Sequence, residues 1–198
     1  MKGIRLIIFI IIIFSIILIF KKLKEEHGKI YVASEIDGQQ YLVRDLKDKQ
    51  HASNQLARIR ENINKIVEHL NDNKESKYIE YKPYIEQIQN RGIKQVVIDE
   101  SSENSIYTSY SVNKGEKLVF CLRSRQRKNK LHDLNLLMYV VLHEMAHVAC
   151  PEYGHTELFK KIFAFFTNVA IEMGLYKKIE FNNEPAEYCG LMITESIV

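Results

Sequence analysis

The sequence predicts an α+β protein with an N-terminal transmembrane helix, and three observations support this fold class. Residues 6–20 are apolar except for one serine, and basic residues flank them on both sides. Residues 94–123 contain short apolar runs separated by turn residues, a pattern typical of strands. Residues 136–173 contain an almost wholly apolar segment and an amphipathic one, both typical of helices packed on a core. The 198 residues leave room for one membrane segment and one compact domain.

The apolar stretch predicts a membrane anchor within residues 1–24, with residues 4–20 in contact with the bilayer. As a helix, Leu6–Phe20 spans about 22 Å, against a hydrocarbon core of about 30 Å. The lysines that follow can snorkel and close much of that gap. A cleaved signal peptide is the main alternative, because its apolar region is also short, but no small-residue cleavage site follows Phe20.

The predicted localisation is a single-pass membrane protein whose C-terminal part faces the cytoplasm. Basic residues are slightly denser after the anchor than before it, which favours that orientation. Cys121, Cys150 and Cys189 form an odd set without framework spacing, which suits a reducing compartment. A virion or host membrane fits these features as well.

Residues 25–50 predict a charged linker that contains two short strands, Ile30–Val32 and Tyr41–Val43, able to pair with each other. The compact domain is expected to occupy residues 51–198. It should begin with an amphipathic helix from Ser53 to Leu70, followed by a second short helix that Pro83 begins and Gly92 ends.

The middle of the chain predicts a small sheet. Val96–Ile98 reads as a short strand, and Ile106–Val112 and Lys117–Arg123 flank the turn residues Asn113–Glu116, so that they form a hairpin. We expect Leu118–Leu122 to be the edge strand, where an extended peptide could pair by β-addition.

The most informative motif is His-Glu-Met-Ala-His at residues 143–147. Because a helical turn takes about 3.6 residues, His143 and His147 lie on one face and can hold one metal ion. Glu144 is turned about 100° from the first histidine and can reach a water on that ion. Burying these groups in an apolar helix is costly without a cation or hydrogen bonds, which argues against a core helix with two satisfied histidines. The motif predicts a zinc hydrolase, most simply a peptidase.

A catalytic zinc site takes three protein ligands and leaves a fourth position open. His155 is the favoured third ligand, because Gly154 lets the chain turn back and present it at the start of the next helix. Glu172 on that helix is the main rival. The other candidates are carboxylates of the intervening loop and helix entry, Glu152 and Glu157.

The motif and its surroundings resemble the SprT-like and WLM zinc metallopeptidases, and are more similar still to the small WLM-type proteins of large DNA viruses. The matching segments, within about residues 94–195, are Leu142–His147, Gly154–Phe159, Asn113–Glu116, Cys121–Arg123, Leu131–Asn135 and Tyr188–Gly190. The resemblance implies a minimal zincin-like domain, in which a small twisted sheet packs beside the motif helix. It also implies a Zn²⁺ cofactor and a protein or peptide substrate.

The expected chemistry is hydrolysis of a peptide bond. Glu144 would act as general base and then as general acid, with zinc polarising the scissile carbonyl. A further donor for the developing oxyanion is needed, and Tyr188 is the candidate, although a tyrosine packed for structural reasons is at least as good a reading.

Two alternatives remain open from the sequence. One is a membrane-anchored structural or interaction protein whose zinc site only stabilises the fold. The other is a DNA-associated protease of the SprT-like type, for which the basic run Arg123–Lys130 could contact phosphates. A nucleic-acid partner is disfavoured, because the net charge is only +3 and no aromatic residues interleave with the run.

Overall fold

The computed structural model describes residues 7–16 and 27–198, and residues 27–198 form an α+β fold. The α+β part of the predicted fold class is therefore confirmed. The strands are β1 (Lys29–Ala33), β2 (Gln40–Arg44), β3 (Val97–Glu100), β4 (Tyr110–Val112), β5 (Lys117–Phe120), β6 (Ala186–Tyr188) and β7 (Leu191–Ile193). The α-helices of this part are α1 (Lys49–Asn73), α2 (Lys82–Asn90), α3 (Leu134–Ala149) and α4 (Glu157–Glu172).

The membrane-spanning part of the prediction is wrong. Residues 7–16 are helical. Among the described residues, no helix combines the length and the apolarity needed to cross a bilayer. This finding overturns the single-pass anchor and the localisation that was built on it. The rest of the predicted anchor, residues 1–6 and 17–24, lies outside the described residues.

The hairpin of β1 and β2 belongs to the folded domain and is not a linker. The two strands pair with each other, as the sequence predicts, and the structure shows that they are antiparallel with Ile30 opposite Val43. Tyr41 and Val43 are fully buried in the same core as helix α1. The folded domain therefore begins before residue 51, since β2 supplies core side chains.

Helix α1 begins four residues before the predicted start at Ser53 and continues three residues past the predicted end at Leu70, to Asn73. It lies against β2, β3 and helices α2 and α3. Its buried face repeats at steps of three and four, which is the amphipathic pattern of a core-packed helix. The largest side chains of this face are Leu56, Ile59, Ile63, Ile66 and Leu70.

The second sheet has three strands in the order β3-β5-β4. Strand β5 pairs in parallel with β3 and antiparallel with β4. The prediction that Leu118–Leu122 forms an edge is therefore wrong, because β5 is paired on both sides. The outer strands of this sheet are β3 and β4, and Ser111 at the centre of β4 is only half-buried. Sequence alone could not reveal this, because the parallel partner β3 comes from a different part of the chain.

Helix α3 carries the histidine motif and is buried on nearly every side, as its apolar sequence predicts. Asp133 begins it, since the Asp133 side chain accepts a hydrogen bond from the Asn135 amide at 2.8 Å. The helix ends at Ala149, immediately before the predicted Cys150-Pro151 stop. Helix α4 packs against α3 and starts at the Thr156 cap, whose hydroxyl accepts from the Phe159 amide.

The C-terminal hairpin of β6 and β7 is tied to the central sheet by a disulfide between Cys121 and Cys189. The odd cysteine set without framework spacing does not predict this bond, which leaves Cys150 as the free cysteine. A separation of 68 residues in sequence hides this pairing. The bond places Tyr188, next to the second cysteine, beside the end of strand β5.

Candidate metal centre

Three imidazoles converge beside helix α3. The Nε2 atoms of His143, His147 and His155 lie 3.1 Å from one another in all three pairs. The first two project from one face of α3, as their spacing predicts, and the third comes from the loop before α4. Among the described residues, these three histidines are the one group of histidine, cysteine or carboxylate side chains that could hold a metal ion.

The donor set suits zinc. With Zn–N bonds of about 2.0–2.1 Å, tetrahedral coordination separates neighbouring nitrogens by about 3.3 Å, close to the observed spacing. Three nitrogen donors with no fourth protein ligand nearby correspond to the open type of zinc site. Three ring nitrogens this close would repel one another if protonated, so the arrangement calls for a shared cation.

The surroundings of His143 and His147 favour the neutral form of these two imidazoles. Burial lowers the pKa of His143 to about 3, with further contributions from His147 and His155. Burial also lowers the pKa of His147 to about 4, helped by the charges of His155 and Lys114. A neutral imidazole offers its lone pair to a metal, so both side chains are ready to act as ligands near neutral pH.

Aromatic side chains of α4 fix the orientation of the rings. Phe159 stacks on His147 with centroids 4.2 Å apart and contacts His155 at 4.9 Å. Phe159 and Phe163 both contact His143 edge-on, at 5.0 and 5.2 Å. The amphipathic face of α4 therefore serves the core and supports the metal centre as well.

The rival carboxylate ligands lie elsewhere. Glu172 is fully exposed and forms an ion pair with Lys77 at 2.5 Å, at the far end of α4. Glu157 is exposed and pairs with Lys160 at 2.7 Å. Glu152 lines the adjoining groove but is not part of the converging group. The loop thus brings His155, and not a glutamate, to the motif histidines.

Glu144 follows the first ligand, His143, on helix α3, and 5% of its surface is exposed. Burial raises the pKa of its carboxyl to about 7. Within the described part of the chain its carboxylate has no hydrogen-bond or ion-pair partner, although the other buried carboxylates are paired. A buried, uncompensated carboxyl beside three imidazoles is costly for folding, and such groups are concentrated at functional sites.

Tyr188 is 3% exposed, and its hydroxyl is hydrogen-bonded to the Ser109 hydroxyl. Burial raises the pKa of Tyr188, and the nearby charge of Glu144 adds to the effect. The phenol therefore stays protonated and lies within electrostatic reach of Glu144. Its partner Ser109 was not predicted, because Ser109 lies 79 residues away in sequence and carries no motif.

A groove of about 560 Å³ opens beside the histidines. Its walls include Ser111 of the edge strand β4, Lys114 of the β4–β5 turn, and His147 and Tyr153. Tyr153 is 84% exposed, and the Lys114 ammonium lies 4.0 Å from the centre of its ring. The edge of the sheet therefore runs along the same groove as the metal centre. The role of Lys114 was missed from the sequence, which reads this residue only as part of a turn.

Part of the basic run Arg123–Lys130 makes contacts within the fold. Arg123, 2% exposed, contacts Glu100 at 2.7 Å and Asp48 at 2.7 Å. Arg125 donates hydrogen bonds to backbone carbonyls of the 101–109 loop. The first of these cations thus holds a buried ion-pair network and is not available to a phosphate.

The fold and the site define a small α+β protein with a three-histidine centre, and comparison with known proteins places it in a family. Uncharacterized protein R325 of Acanthamoeba polyphaga mimivirus is 45% identical over 195 residues, covering 98% of this chain and 96% of that protein. The chain belongs to the family of this mimivirus protein.

Two shorter matches are also viral. Uncharacterized protein 136R of Invertebrate iridescent virus 6 is 38% identical over 69 residues, covering 34% of this chain and 38% of that protein. Uncharacterized protein 042R of Invertebrate iridescent virus 3 is 41% identical over 68 residues, covering 34% and 42% respectively. No protein-family model and no solved structure matches the chain.

Proposed function

We propose that this protein is a zinc-dependent metallopeptidase in which His143, His147 and His155 hold the metal and Glu144 moves the proton. The observation that carries the proposal is the convergence of three Nε2 atoms at 3.1 Å, together with a buried carboxylate that follows His143 on the same helix and has no other described partner. A divalent cation would compensate that carboxylate and account for the neutral imidazoles.

When bound, zinc would lower the pKa of a water ligand toward about 7 and polarise a carbonyl group. Glu144 supplies the proton transfer. Its Oε atoms accept a proton from the attacking water and deliver it to the leaving amine, so that the carboxyl acts first as base and then as acid. Because burial keeps this carboxyl away from bulk water, it exchanges its proton with the reacting groups and not with the solvent.

Tyr188 is proposed as an auxiliary donor to the developing oxyanion. Its phenol is kept protonated by burial, and it lies within the reach of the Glu144 charge. The hydrogen bond to Ser109 holds the ring in place. A donor fixed before the reaction loses little free energy to reorganisation, which is what oxyanion stabilisation requires.

An extended peptide is the substrate that suits the groove. Strand β4 has a free edge beside the histidines, and backbone groups at such an edge can pair with another chain. The half-buried Ser111 lies on this edge and lines the groove with His147. A peptide paired with β4 would pass beside the metal centre and present its carbonyls to it.

A purely structural zinc site is the competing function, and the donor count argues against it. Structural sites close around the metal with four protein ligands, whereas the described residues here supply three. A structural site also has no use for an unpaired carboxylate at the position of Glu144.

The test uses the full-length protein and the variant Glu144→Gln. Purified wild type should contain about one zinc per chain, and it should cleave a denatured protein substrate. The variant keeps all three histidines, so it should retain zinc and lose cleavage by at least about 100-fold. Equal turnover by wild type and variant would refute the role of Glu144, and wild type that binds no zinc would refute the proposed function.

A further inference from the structure

The ammonium of Lys114 makes an unusual set of contacts next to the metal centre. Its Nζ donates to the carbonyl oxygens of Cys150, Pro151 and Glu152 at 3.0, 3.0 and 3.1 Å. A lysine ammonium carries three protons, and here each of them has its own acceptor on consecutive residues. One side chain therefore fixes the path of the backbone that leaves helix α3.

That stretch of backbone has few other restraints. The last carbonyls of a helix have no partner within the helix, and here the chain leaves α3 at Cys150 in an extended conformation. Arg91 supplies one further donor, to the carbonyl of Val148. Two cations from other elements therefore satisfy the carbonyls at the end of the motif helix.

The turn that carries Lys114 is built to reach this position. Lys114 has a φ of +51°, and Gly115 follows with a φ of +126°. A Cβ atom at Gly115 would lie 3.2 Å from Cγ1 of Val148, so the turn touches helix α3 directly. The left-handed backbone is a conformation that L-residues rarely adopt, and it directs the lysine toward the end of the helix.

The segment held by Lys114 is the one that connects two of the histidines. His147 is the last motif residue, and His155 follows after a loop that runs through the three carbonyls. His155 is exposed, and among the described residues its side chain contacts Phe159 and the other two imidazoles. Its position relative to α3 is therefore set by the backbone before it.

We propose that Lys114 is a positioning residue, which holds the loop of residues 150–152 so that His155 meets His143 and His147. This inference rests on the proposed metal site and adds a residue to it from the β4–β5 turn. The effect of Lys114 on metal affinity that this inference predicts is opposite to the effect of its positive charge. Lys114 lines the same groove as His147, and Coulomb repulsion by itself would make a cation there weaken the binding of a divalent ion. Positioning predicts the opposite, that the lysine strengthens metal binding.

The experiment measures the affinity of the full-length protein for Co²⁺ and Zn²⁺ and compares wild type with Lys114→Met. Methionine keeps the unbranched stem and brings no new strain at the positive φ, but it removes the three donors. Loss of an outer partner of a metal ligand typically weakens affinity by about 10–100-fold, and that is the expected result. Lys65→Met, which removes an exposed lysine paired with Glu61 on α1, serves as the matched control and should bind like wild type.

A second measurement separates positioning from a general loss of structure. In a His155→Ala background the ligand that Lys114 positions is already absent, so Lys114→Met should weaken binding by less than about twofold there. The visible absorption of Co²⁺-loaded Lys114→Met should also shift toward that of His155→Ala. Lys114→Gln is judged by the same criteria if the methionine variant does not fold.

The outcomes are distinct. Equal or tighter binding by Lys114→Met would overturn the positioning role, and so would an equal loss in the wild-type and His155→Ala backgrounds. Absence of metal binding by the wild type would instead remove the proposed function on which the inference rests.

Discussion

The buried carboxyl of Glu144 makes the stability of the metal-free protein depend on pH in a way that Glu144→Gln should abolish. In the folded chain burial raises the pKa of Glu144 from its ordinary 4.5 to about 7. Between these two pH values the folded state holds a proton that the unfolded state has released. The protonated carboxyl therefore contributes stability below pH 4.5, and that stability is lost as the pH rises through about 7.

The size of the effect follows from the shift. One pH unit corresponds to about 1.4 kcal/mol per proton, so the full interval corresponds to about 3 kcal/mol. Glutamine does not titrate, whereas His143 and His147 titrate in both proteins and cancel in the comparison. Relative to Glu144→Gln, the wild type should therefore lose about 3 kcal/mol of unfolding free energy between pH 4.5 and pH 7.5.

Urea unfolding of the chelator-treated proteins, followed by circular dichroism at several pH values, measures this difference. With zinc present the difference should become nearly independent of pH, because a divalent cation favours the ionised carboxylate. A difference that stays constant with pH in the metal-free proteins would show that Glu144 titrates like an exposed carboxyl. The argument for a buried base would then fail.

Two further predictions concern other parts of the fold. Tyr188→Phe should lower kcat by about 100-fold with unchanged zinc content if the phenol assists the oxyanion, and unchanged turnover would limit Tyr188 to packing against Ser109. Arg123→Met should lower the unfolding free energy by about 3–5 kcal/mol, because it leaves Glu100 buried without its cation. The control Lys65→Met removes an exposed ion pair and should lower the unfolding free energy by less than about 1 kcal/mol. If urea unfolding showed equal losses for the two variants, the buried pair would not stabilise the fold more than the exposed one.

Local patterns in the sequence predicted much of the structure correctly. The motif helix, its end before Pro151, and the second helix up to Gly174 all follow from periodicity and breaker residues. The pairing of strands β1 and β2 follows from two short strand-like runs, while their register comes from the structure. These features depend on neighbours within a few residues, so the chain itself carries the information.

The errors arose where partners are remote in sequence. Strand β5 was taken as an edge because its parallel partner β3 is not signalled by any turn. The bond between Cys121 and Cys189 was not predicted, because a disulfide depends on the distance between two residues in the fold and not in the chain. The apolar composition of the N-terminal stretch predicts a spanning helix, but no helix among the described residues has the length and apolarity to cross a membrane.

The sequence by itself determined that His143 and His147 share one helical face with Glu144 beside them, because a helix fixes the direction of side chains one turn apart. Only the tertiary structure decided that His155, and not Glu172, completes the group, since that choice depends on where a loop lies. The lysine that holds this loop belongs to a turn more than thirty residues earlier. Its role arises from backbone carbonyls, which every residue has, and no pattern of side chains could have revealed it.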